Sequence, residues 1–540
     1  MSENLLPLLV MLSPLLFVIT AVVSWFQPGR QPSGVIISSM IASVSSIFLA
    51  AFCGFLVSEF GLLESKTMGL NGFGFSIRLD SLSALIFAMI NLISFVVLKY
   101  SFNYLDGDER QGIFIGRLAA TIASVQLLVL SGNLGLLFLS WVLTSFFLHR
   151  LLKFYPNRYK AVVAARKKFI AARTSDAFLL AALVLLYNHF GTGNLELIFA
   201  SMSRLAASTA PAIVEIAAVL IALAAIFKSA QFPAHGWLIE VMETPTPVSA
   251  LLHAGLLNAG PFLVVRMVFV MTGSSYGPML LIVLGGFTAL FASVSYLTQT
   301  SVKTALGYSS ISHMGFSLLM CGLGAYSAAM LHLVAHSFYK AHAFLSSGSA
   351  VDVLKASGVP LPKRLGSPVR MLGSIAGAFV VFAGLAVLWG IDPVEELALL
   401  AIGAIIFMGI SILITATADA SGSWGGMGRA AFLALCVATA FFSLEAGMGY
   451  LLQTQIPALA RPSLPVAVLI AGIVLIFGGV VLVQIISPLF PSSPFWRKWA
   501  IHMRNGLYAN ALYDRLVGAL YIKTPKARLT ESARTAIKSK

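Results

Sequence analysis

Long apolar runs recur along almost the whole chain and are separated by short polar segments. As α-helices, runs of about 18 or more residues are long enough to cross a bilayer core of roughly 30 Å. Because a chain in lipid must satisfy its own backbone hydrogen bonds, the pattern predicts an all-α polytopic bundle of about fifteen transmembrane helices. The predicted segments are 5–25, 34–58, 80–103, 112–131, 134–151, 168–188, 211–230, 246–271, 277–297, 302–324, 326–349, 369–390, 396–417, 429–451 and 465–488.

Composition supports this class. Of the 540 residues 58% are apolar and 10% are charged, with a mean hydropathy of +0.91. Soluble domains carry about a quarter charged residues, so no sizeable soluble domain is expected. The first apolar run lacks a basic n-region and a clear cleavage site, which favours a mature helix over a signal peptide. Cys53, Cys321 and Cys436 lie in separate segments, with no CxxC or Cys/His cluster and no glycine fingerprint. We therefore expect no disulfide, metal or other cofactor.

The formal net charge of +15 follows the predicted topology. With the C-terminus in the cytoplasm, the opposite loops keep only Lys66, Arg78, Arg204 and Arg461. This positive-inside split predicts a multi-pass protein of a bacterial inner (plasma) membrane, and it explains the basic balance without nucleic acid. The tail at 495–521 fits an interfacial amphipathic helix or a helix docking on a partner equally well. The cytoplasmic side holds the whole C-terminal tail and, in the inner loops, Arg30, Lys99, Arg110, Arg150, Lys153, Arg158, Lys160, Arg166, Lys167, Lys168, Lys303, Lys355, Lys363, Arg364, Arg370 and Arg429.

Lys228 ends an apolar run and opens the stretch "KSAQFPAHGWLIEVMETPTPVSALLHAG". A lone lysine near a helix end can be an anchor that snorkels to the interface. Three prolines follow, however, and proline interrupts helices. Broken helices at membrane depth are tolerated only against protein or a wet cavity and often mark a transport site. Lys228, with His253 in the next helix, is therefore a candidate for taking up and releasing an ion.

The stretch "LHLVAHSFYKAHAF" places His332, His336 and Lys340 at i, i+4 and i+8, on one face of a helix. A single buried histidine is usually a packed core residue, but three titratable groups on one stripe favour a proton relay. His342 lies off this stripe and is interpreted as structural. Asp176 follows Arg173 by three residues, so it is either half of a surface salt bridge or the carboxylate that sets the charge of Lys228.

The acidic residues elsewhere receive no firm role. Glu215 lies thirteen residues before Lys228 on the same predicted helix, roughly 20 Å away, which excludes a direct pair. Glu445 stays open. Asp392, Glu395 and Glu396, around Pro393, fit a polar outer loop slightly better than a relay.

The motifs "KSAQFPAHGWL", "PTPVSALLHAG" and "KTALGYSSISHMG…LHLVAHSFYKAHAFLSSGS" closely resemble the antiporter-like subunit family. That family includes the large proton-pumping membrane subunits of complex I and subunits of Mrp-type cation/proton antiporters. The resemblance is dense from about residue 79 to 349. It implies a bundle with two inverted five-helix repeats, each with a broken helix and a half-channel. It also implies that Lys228 is the pumping lysine, that His253, His332, His336 and Lys340 continue the polar axis, and that Arg173 and Asp176 occupy "RxxD" positions.

Two departures from the family pattern affect the expected function. Val142 stands where the family usually has a glutamate that pairs with the pumping lysine, and no lysine occurs between Arg370 and Lys498. Together with the short C-terminal region, these departures resemble the membrane subunits of DAB-type inorganic-carbon pumps. That resemblance implies a large soluble, zinc-containing, carbonic-anhydrase-like (DabA-like) partner on the cytoplasmic face, because the chain offers no zinc ligands of its own.

The sequence thus predicts a proton- or sodium-conducting transporter subunit, rather than an enzyme, that drives CO2/bicarbonate uptake. A subunit of an NADH-quinone oxidoreductase-like complex, a cation/proton antiporter subunit and a non-transporting scaffold are the alternatives. Five buried titratable groups would be pure cost in a scaffold. The predicted regions are N-terminal helices (1–110), a first repeat (111–272), a second repeat (273–420), C-terminal helices (421–490) and a cytoplasmic amphipathic tail (491–540).

Overall fold

The computed structural model describes residues 6–70, 72–204, 211–349, 368–421, 424–459, 461–486 and 493–518. Lys355, Lys363, Arg364 and the tail beyond residue 518, which the charge analysis used, lie outside these ranges. The described chain is a bundle of α-helices with two small pairs of strands.

The helices follow one another along the described chain. The N-terminal part contains α1 (Leu6–Leu9), α2 (Leu12–Phe26), α3 (Ser33–Phe60), α4 (Ser81–Tyr104), α5 (Gln111–Val129), α6 (Leu134–Leu152), α7 (Tyr159–Phe190) and α8 (Leu195–Arg204). The central part contains α9 (Ala212–Lys228), α10 (Gly236–Glu240), α11 (Thr246–Ala254), α12 (Ala259–Arg266), α13 (Val268–Thr272), α14 (Tyr276–Leu297), α15 (Val302–Gly322) and α16 (Tyr326–Leu345). The C-terminal part contains α17 (Pro368–Leu388), α18 (Leu397–Ser421), α19 (Trp424–Leu452), α20 (Leu464–Ile486), α21 (Pro494–Arg504) and α22 (Ala509–Gly518).

Every predicted apolar segment overlaps a helix, but only some of these helices meet the criteria for a membrane span. Among the described residues, ten helices are long and apolar enough to cross a membrane by length and composition. The others fall short for visible reasons: α9 has 17 residues, and α15 and α16 carry histidine and lysine. Phe379–Leu388 and Leu397–Gly409 count only as shorter apolar helices. The all-helical membrane class is confirmed, whereas the count of about fifteen spans stays a prediction.

The segment between α3 and α4 contains strands that the sequence analysis did not predict. β1 (Leu63–Glu64) pairs with β4 (Arg78–Leu79), and β2 (Met68–Leu70) pairs with β3 (Phe73–Phe75), both antiparallel. Single bridges join Ile77 to Ser131 and Asn133 to Asn194, so this loop closes over the ends of α5, α6 and α7. The strands are too short for periodicity to reveal them.

A broken helix crosses the middle of the bundle. After α9 the chain makes a short irregular connection, α10 and a 3-10 turn at Val241–Glu243, and α11 then begins with Pro247 in its first turn. Proline is tolerated there because the first amide groups of a helix have no intrahelical partner. The helix stops at Gly255, continues as a 3-10 turn at Leu256–Asn258, and resumes as α12. Of the span Thr246–Arg266, 94% is buried, so the break lies in protein rather than in lipid.

The C-terminal tail packs on its own chain. Nδ2 of Asn510 donates to Oε1 of Glu240 at 2.7 Å, and Lys167 pairs with Asp514. A Cβ at Gly236 would lie 1.9 Å from Oδ1 of Asn510. The absence of a side chain at Gly236 therefore allows α22 to pack this closely against α10. The tail is thus a docked helix whose contacts include this subunit itself, an arrangement that the sequence analysis did not consider.

Candidate functional site

Lys228 lies at the end of α9 with its side chain turned into the bundle. Its ammonium group donates to the carbonyl oxygen of Trp141 at 2.9 Å, Oγ1 of Thr144 at 3.2 Å and Oγ of Ser145 at 2.7 Å. An ammonium has three donors, and these neutral oxygens use all of them. Lys228 is 9% exposed, so it is no snorkelling anchor at a lipid interface. We call Lys228, Trp141, Thr144 and Ser145 the lysine cradle.

The indole ring of Trp141 lies beside the ammonium group. Nζ of Lys228 is 4.1 Å from the ring centroid, close enough for a cation–π attraction that is worth about 2 kcal/mol or more when desolvated. The α6 face that meets Lys228 consists of positions 141, 144 and 145. Val142, which stands at the family's glutamate position, is half-buried beside this face. Neutral oxygens and an aromatic face therefore surround the lysine, without a carboxylate in direct contact among the described residues.

A second lysine reaches the same serine. Nζ of Lys168 donates to the backbone oxygen of Ser145 at 3.0 Å and is 5% exposed. The sequence analysis placed Lys167 and Lys168 in a basic inner loop. That placement is wrong, because α7 begins at Tyr159 and both lysines are buried along it. Hydropathy does not reveal the true start of α7, because lysine and arginine residues interrupt the apolar residues in its first turns. Lys168 and Lys228 are close enough to repel each other when both are charged.

Asp176 and Arg173 form the pair that the sequence predicted, on the side of α7 that packs against α9. Nη2 of Arg173 lies 2.6 Å from Oδ2 of Asp176, and Asp176 is 6% exposed. The neighbouring Ser175 donates to the carbonyl of Ala224 at 2.7 Å, one turn before Lys228. Asp176 acts electrostatically on Lys228, but no direct ion pair joins them within this described region. Trp141 is close to both.

His253 and Lys340 lie at the level of the broken helix. His253 is fully buried on α11, with its ring stacked on Phe344 at 4.2 Å between centroids. Among the described residues neither ring nitrogen of His253 has a hydrogen-bond partner. Lys340 is 0% exposed, and its ammonium donates to the carbonyl of Leu306 at 3.2 Å. His253 and Lys340 act electrostatically on each other, so the structure brings both predicted residues into one region.

His332 and His336 meet a histidine that the sequence analysis missed. Nδ1 of His313, on α15, lies 3.1 Å from Nε2 of His332, and its ring centroid lies 4.6 Å from that of His336. His313 lies in the quoted motif "SSISHMG", on the predicted helix just before that of His332. Its position in the neighbouring apolar helix could have indicated that the two histidines meet. We call His313, His332 and His336 the histidine cluster. His342 is exposed, and its interpretation as structural stays a prediction.

The histidine cluster also bears on metal binding. One nitrogen of each ring lies within 4.8 Å of the others, a spacing that the sequence analysis did not foresee because the residues are on two helices. The contact between His313 and His332, however, is that of an N–H···N hydrogen bond, in which one ring donates to the other. We therefore interpret the cluster as a hydrogen-bonded part of the polar axis.

A small internal cavity lies beside the break in the central helix. Its volume is about 20 Å³, and it is lined by Thr144 of the lysine cradle, Gly255 and Asn258 at the break and Leu333 of α16, together with apolar side chains. That volume is roughly what one water needs. Nδ2 of Asn258 donates to Oγ of Ser337 on α16 at 2.7 Å, and its buried Oδ1 has no hydrogen-bond partner among the residues that the structure describes. A polar acceptor thus lies where the helix is interrupted.

The remaining acidic residues have structural contacts. Glu215 accepts from the hydroxyl of Ser274 and from the amides of Ser275 and Tyr276, at 2.7–3.1 Å, at the start of α14. Ser327 donates to Glu445 at 2.5 Å. The Asp392 carboxylate accepts from the amides of Val394 and Glu395, and Glu396 accepts from the amide of Asp392. Asp392 and Glu395 are exposed and Glu396 is half-buried, in keeping with the polar-loop interpretation.

Fold and site together define a polytopic membrane subunit with buried lysines and histidines along a broken central helix. The family model described as NADH:quinone oxidoreductase/Mrp antiporter matches residues 131–357, and the model for the N-terminus of complex I chain 5 matches residues 67–115. A probable inorganic carbon transporter subunit DabB2 of Halothiobacillus neapolitanus is 37% identical over 453 residues, which cover 84% of this chain and 82% of the relative. The chain belongs to the NADH:quinone oxidoreductase/Mrp antiporter family of membrane subunits.

Other relatives cover less of the chain. A probable inorganic carbon transporter subunit DabB of Hydrogenovibrio crunogenus is 39% identical over 57% of this chain and 58% of its own. NADH-quinone oxidoreductase subunit L of Escherichia coli is 34% identical over a region that covers 64% of this chain and 57% of its own. Among solved structures, a chain of the archaeal membrane-bound sulfane sulfur reductase has a TM-score of 0.57 at 18% identity, covering 94% of this chain and 99% of its own. A chain of the Mrp complex from Dietzia sp. has a TM-score of 0.56 at 22% identity, covering 98% and 59%. These structures share the fold.

Proposed function

We propose that this chain is the cation-conducting membrane subunit of an energy-coupled inorganic-carbon (CO2/bicarbonate) uptake system. The observation that carries the proposal is the lysine cradle: a buried Lys228 held by neutral oxygens, with Asp176 at longer range. Burial of an ammonium without a paired carboxylate costs several kcal/mol, and such a cost is retained where the group has a function. The relatives named as inorganic carbon transporter subunits support the choice of cargo.

The path that we propose runs from Arg173 and Asp176 through Lys228 to His253, then along Lys340, His336 and His332. Lys228 is the switch residue, and Asp176 biases its charge from a distance. A water in the cavity beside Thr144 and Asn258 links the lysine cradle to the second half of the path. Titratable lysine and histidine side chains favour H⁺ over Na⁺ as the conducted ion. Residues 111–272 and 273–420 are the proposed inverted repeats around this path.

The proposed partner is a large soluble subunit with zinc and carbonic-anhydrase-like chemistry, bound to the cytoplasmic face. One positive charge that moves down a membrane potential provides about 2.3 kcal/mol per 100 mV, which can drive CO2 hydration in one direction if the two steps are mechanically coupled. The partly buried hydrogen bond between Glu240 of α10 and Asn510 of the tail, next to the broken helix, offers a route for this coupling. The basic inner loops supply the proposed docking face, with the C-terminus in the cytoplasm of a bacterial inner membrane.

The similarity to NADH-quinone oxidoreductase subunit L and to the Mrp fold supports a second candidate, a proton-translocating subunit of a redox complex or of a cation/proton antiporter. Val142 in place of a carboxylate favours the first proposal, because the usual charge partner of the pumping lysine is replaced by an apolar side chain. The two candidates differ in what must be coexpressed. The carbon pump needs a large soluble neighbour with Cys, His and Asp, whereas the alternatives need further membrane subunits.

Growth of a host without carbonic anhydrase in ambient air tests the proposal. The chain is expressed alone, with its genomic neighbour, and as a pair carrying Lys228→Ala or, as a control for lysine loss, Lys66→Ala at an exposed position. We expect rescue by the intact pair and by the Lys66 variant only. Rescue by the Lys228 variant would rule out Lys228 as the switch. An assembled pair that does not rescue would reject the carbon-pump assignment, and cation-dependent pH changes in inverted vesicles would then test the antiporter.

A further inference from the structure

An open groove between α2, α5 and α6 has no role in the proposed ion path. Its volume is about 720 Å³, within the range of roughly 300–1,000 Å³ that is typical of ligand sites. The walls are almost entirely apolar and include Val18, Val22, Leu127, Leu143 and Phe146. Val18, Val22 and Phe146 are exposed on membrane-spanning helices, so an apolar occupant of the groove would complete their packing.

One end of this groove is strongly basic. Arg117 and Arg150 line it, and Nη1 of Arg117 donates to the backbone oxygen of Arg150 at 2.9 Å. Arg110 lies nearby, with its guanidinium 4.7 Å from the centroid of the Phe154 ring. The positive charges of Arg110 and Arg150 both repel that of Arg117. Like charges held together in this way favour an anion between or beside them.

Neighbouring carboxylates do not neutralise this end. The Asp108 carboxylate accepts from the hydroxyl of Tyr155 and the amide of Arg110, and Glu109 pairs with Arg30 at 2.9 Å. Within the described ranges, the guanidinium groups of Arg110, Arg117 and Arg150 have no carboxylate within ion-pair distance. The cluster therefore keeps a positive charge at the mouth of an apolar groove.

The groove has the length of one leaflet. From Arg117 to Leu127, the last α5 residue that lines it, the groove follows ten residues of the helix, or about 15 Å at 1.5 Å per residue. A bilayer core is about 30 Å thick, so this distance equals roughly half of it. Trp25 lies at the basic rim and is 77% exposed, as is usual for an aromatic residue at the headgroup level.

We infer that this groove binds an anionic phospholipid, with the phosphate on Arg117 and Arg150 and an acyl chain along α5 towards Leu127. Basic pockets between transmembrane helices are a recurrent way to hold anionic headgroups. Arg110 adds to the positive field at the headgroup. The lipid would cover the α2–α5–α6 face, and α6 also carries Trp141, Thr144 and Ser145 of the lysine cradle.

Lipid binding to the full chain, delipidated in detergent, tests this inference by native mass spectrometry. Phosphatidylglycerol and phosphatidylcholine with identical acyl chains are compared, with inorganic phosphate as a probe of the headgroup alone. We expect one molecule of phosphatidylglycerol to be retained and phosphatidylcholine to bind at least tenfold more weakly. Inorganic phosphate without lipid should not stabilise the protein. Arg117→Gln/Arg150→Gln should reduce phosphatidylglycerol binding at least tenfold, whereas Lys99→Gln/Arg515→Gln, which removes the same charge at exposed positions, should not.

A second variant separates the acyl chain from the charges. Ala120→Trp fills the groove wall and leaves every arginine in place, so it should weaken binding of phosphatidylglycerol without changing the net charge. Equal retention of both lipids, unchanged binding in both the double-arginine and the Ala120 variant, or a copurifying membrane polypeptide crosslinked to the groove would overturn the inference.

Discussion

Ser145 receives a hydrogen bond of 2.7 Å from Nζ of Lys228, which lies eighty-three positions later in the sequence. Its backbone oxygen receives another, of 3.0 Å, from Lys168. One residue of α6 therefore contacts two buried lysines, Lys168 and Lys228. This relationship places neutral oxygens where the family resemblance leads one to expect a glutamate. In the proposed mechanism, control of the Lys228 charge comes from these polar contacts and from Asp176 at longer range.

Ser145→Ala should impair ion-dependent function without unfolding the protein. The change removes one of three acceptors of a buried ammonium, and a hydrogen bond to a charged group is worth about 1.5–3 kcal/mol. Ser140→Ala, five residues earlier on α6, is the matched control, because among the described residues its buried hydroxyl donates only to carbonyl oxygens of α6 itself. Rescue of the host without carbonic anhydrase, together with the thermal midpoint in detergent, gives both readouts. Equal behaviour of the two variants would show that the serine hydroxyl has no part in the ion path.

Asp176→Asn tests the proposed long-range partner of Lys228. Loss of the negative charge should disfavour protonated Lys228 and reduce ion-dependent activity, while the side-chain shape is kept. Glu109→Gln removes a carboxylate from an exposed ion pair and controls for the change in net charge. Flux in vesicles is the measurement, with rescue as a second readout. Full activity of the Asp176 variant would leave Arg173 and Asp176 as a structural salt bridge.

The sequence predicted the helices and the burial of several candidate site residues because apolar length and charges inside apolar runs are local signals. Lys228, His253, His336 and Lys340 are buried as expected. What it missed depends on which helices become neighbours. Ser145 is one hydroxyl among many until α9 packs on α6, and His313 is a lone histidine until α15 meets α16. Lys168 was assigned to a loop because hydropathy marks where a helix becomes apolar, whereas α7 begins earlier with charged residues.

His313→Gln should reduce proton-linked activity, because the N–H···N contact with His332 joins the histidine cluster across two helices. Glutamine keeps hydrogen-bonding capacity but cannot take up a proton near neutral pH. His342→Gln provides the control, because His342 is an exposed histidine of the motif that also contains His332 and His336. The measurement is the pH dependence of ion flux in inverted vesicles. Superimposable profiles for wild type and the His313 variant would remove this residue from the path.

Asp514→Asn should loosen the C-terminal helix from the bundle. Lys167 is 2% exposed and is shared between Asp514 and Glu240, so α22 is held at the segment that precedes the broken helix. Faster hydrogen exchange at 509–518 is expected in the variant, and protection should be retained in Arg515→Gln, which changes the adjacent exposed residue. Unchanged exchange in the Asp514 variant would mean that other contacts, such as that between Asn510 and Glu240, suffice to dock the tail.

Asp80→Asn should be the most destabilising of these substitutions. Asp80 is fully buried at the start of α4, where its carboxylate accepts from Arg78 at 2.7 Å, Arg266 at 2.5 Å and the amide of Ser83 at 2.7 Å. Removal of one partner from a buried ion pair costs about 3–5 kcal/mol, because it leaves buried charge uncompensated. Glu109→Gln breaks an exposed pair, for which at most about 1 kcal/mol is expected.

The pH dependence of this loss follows from the same contacts. Burial raises the pKa of the Asp80 carboxyl, but attraction to Arg266 and Arg78 and the hydrogen bonds outweigh it and hold the pKa well below its usual range. A carboxyl whose pKa is lower in the folded state stabilises the protein above its unfolded pKa of about 3.9 and loses that contribution as the pH falls towards the folded value. The difference in thermal midpoint between wild type and Asp80→Asn should therefore be constant from about pH 8 to pH 5 and shrink below about pH 4. A difference that grew on acidification would contradict this account of the Asp80 cluster.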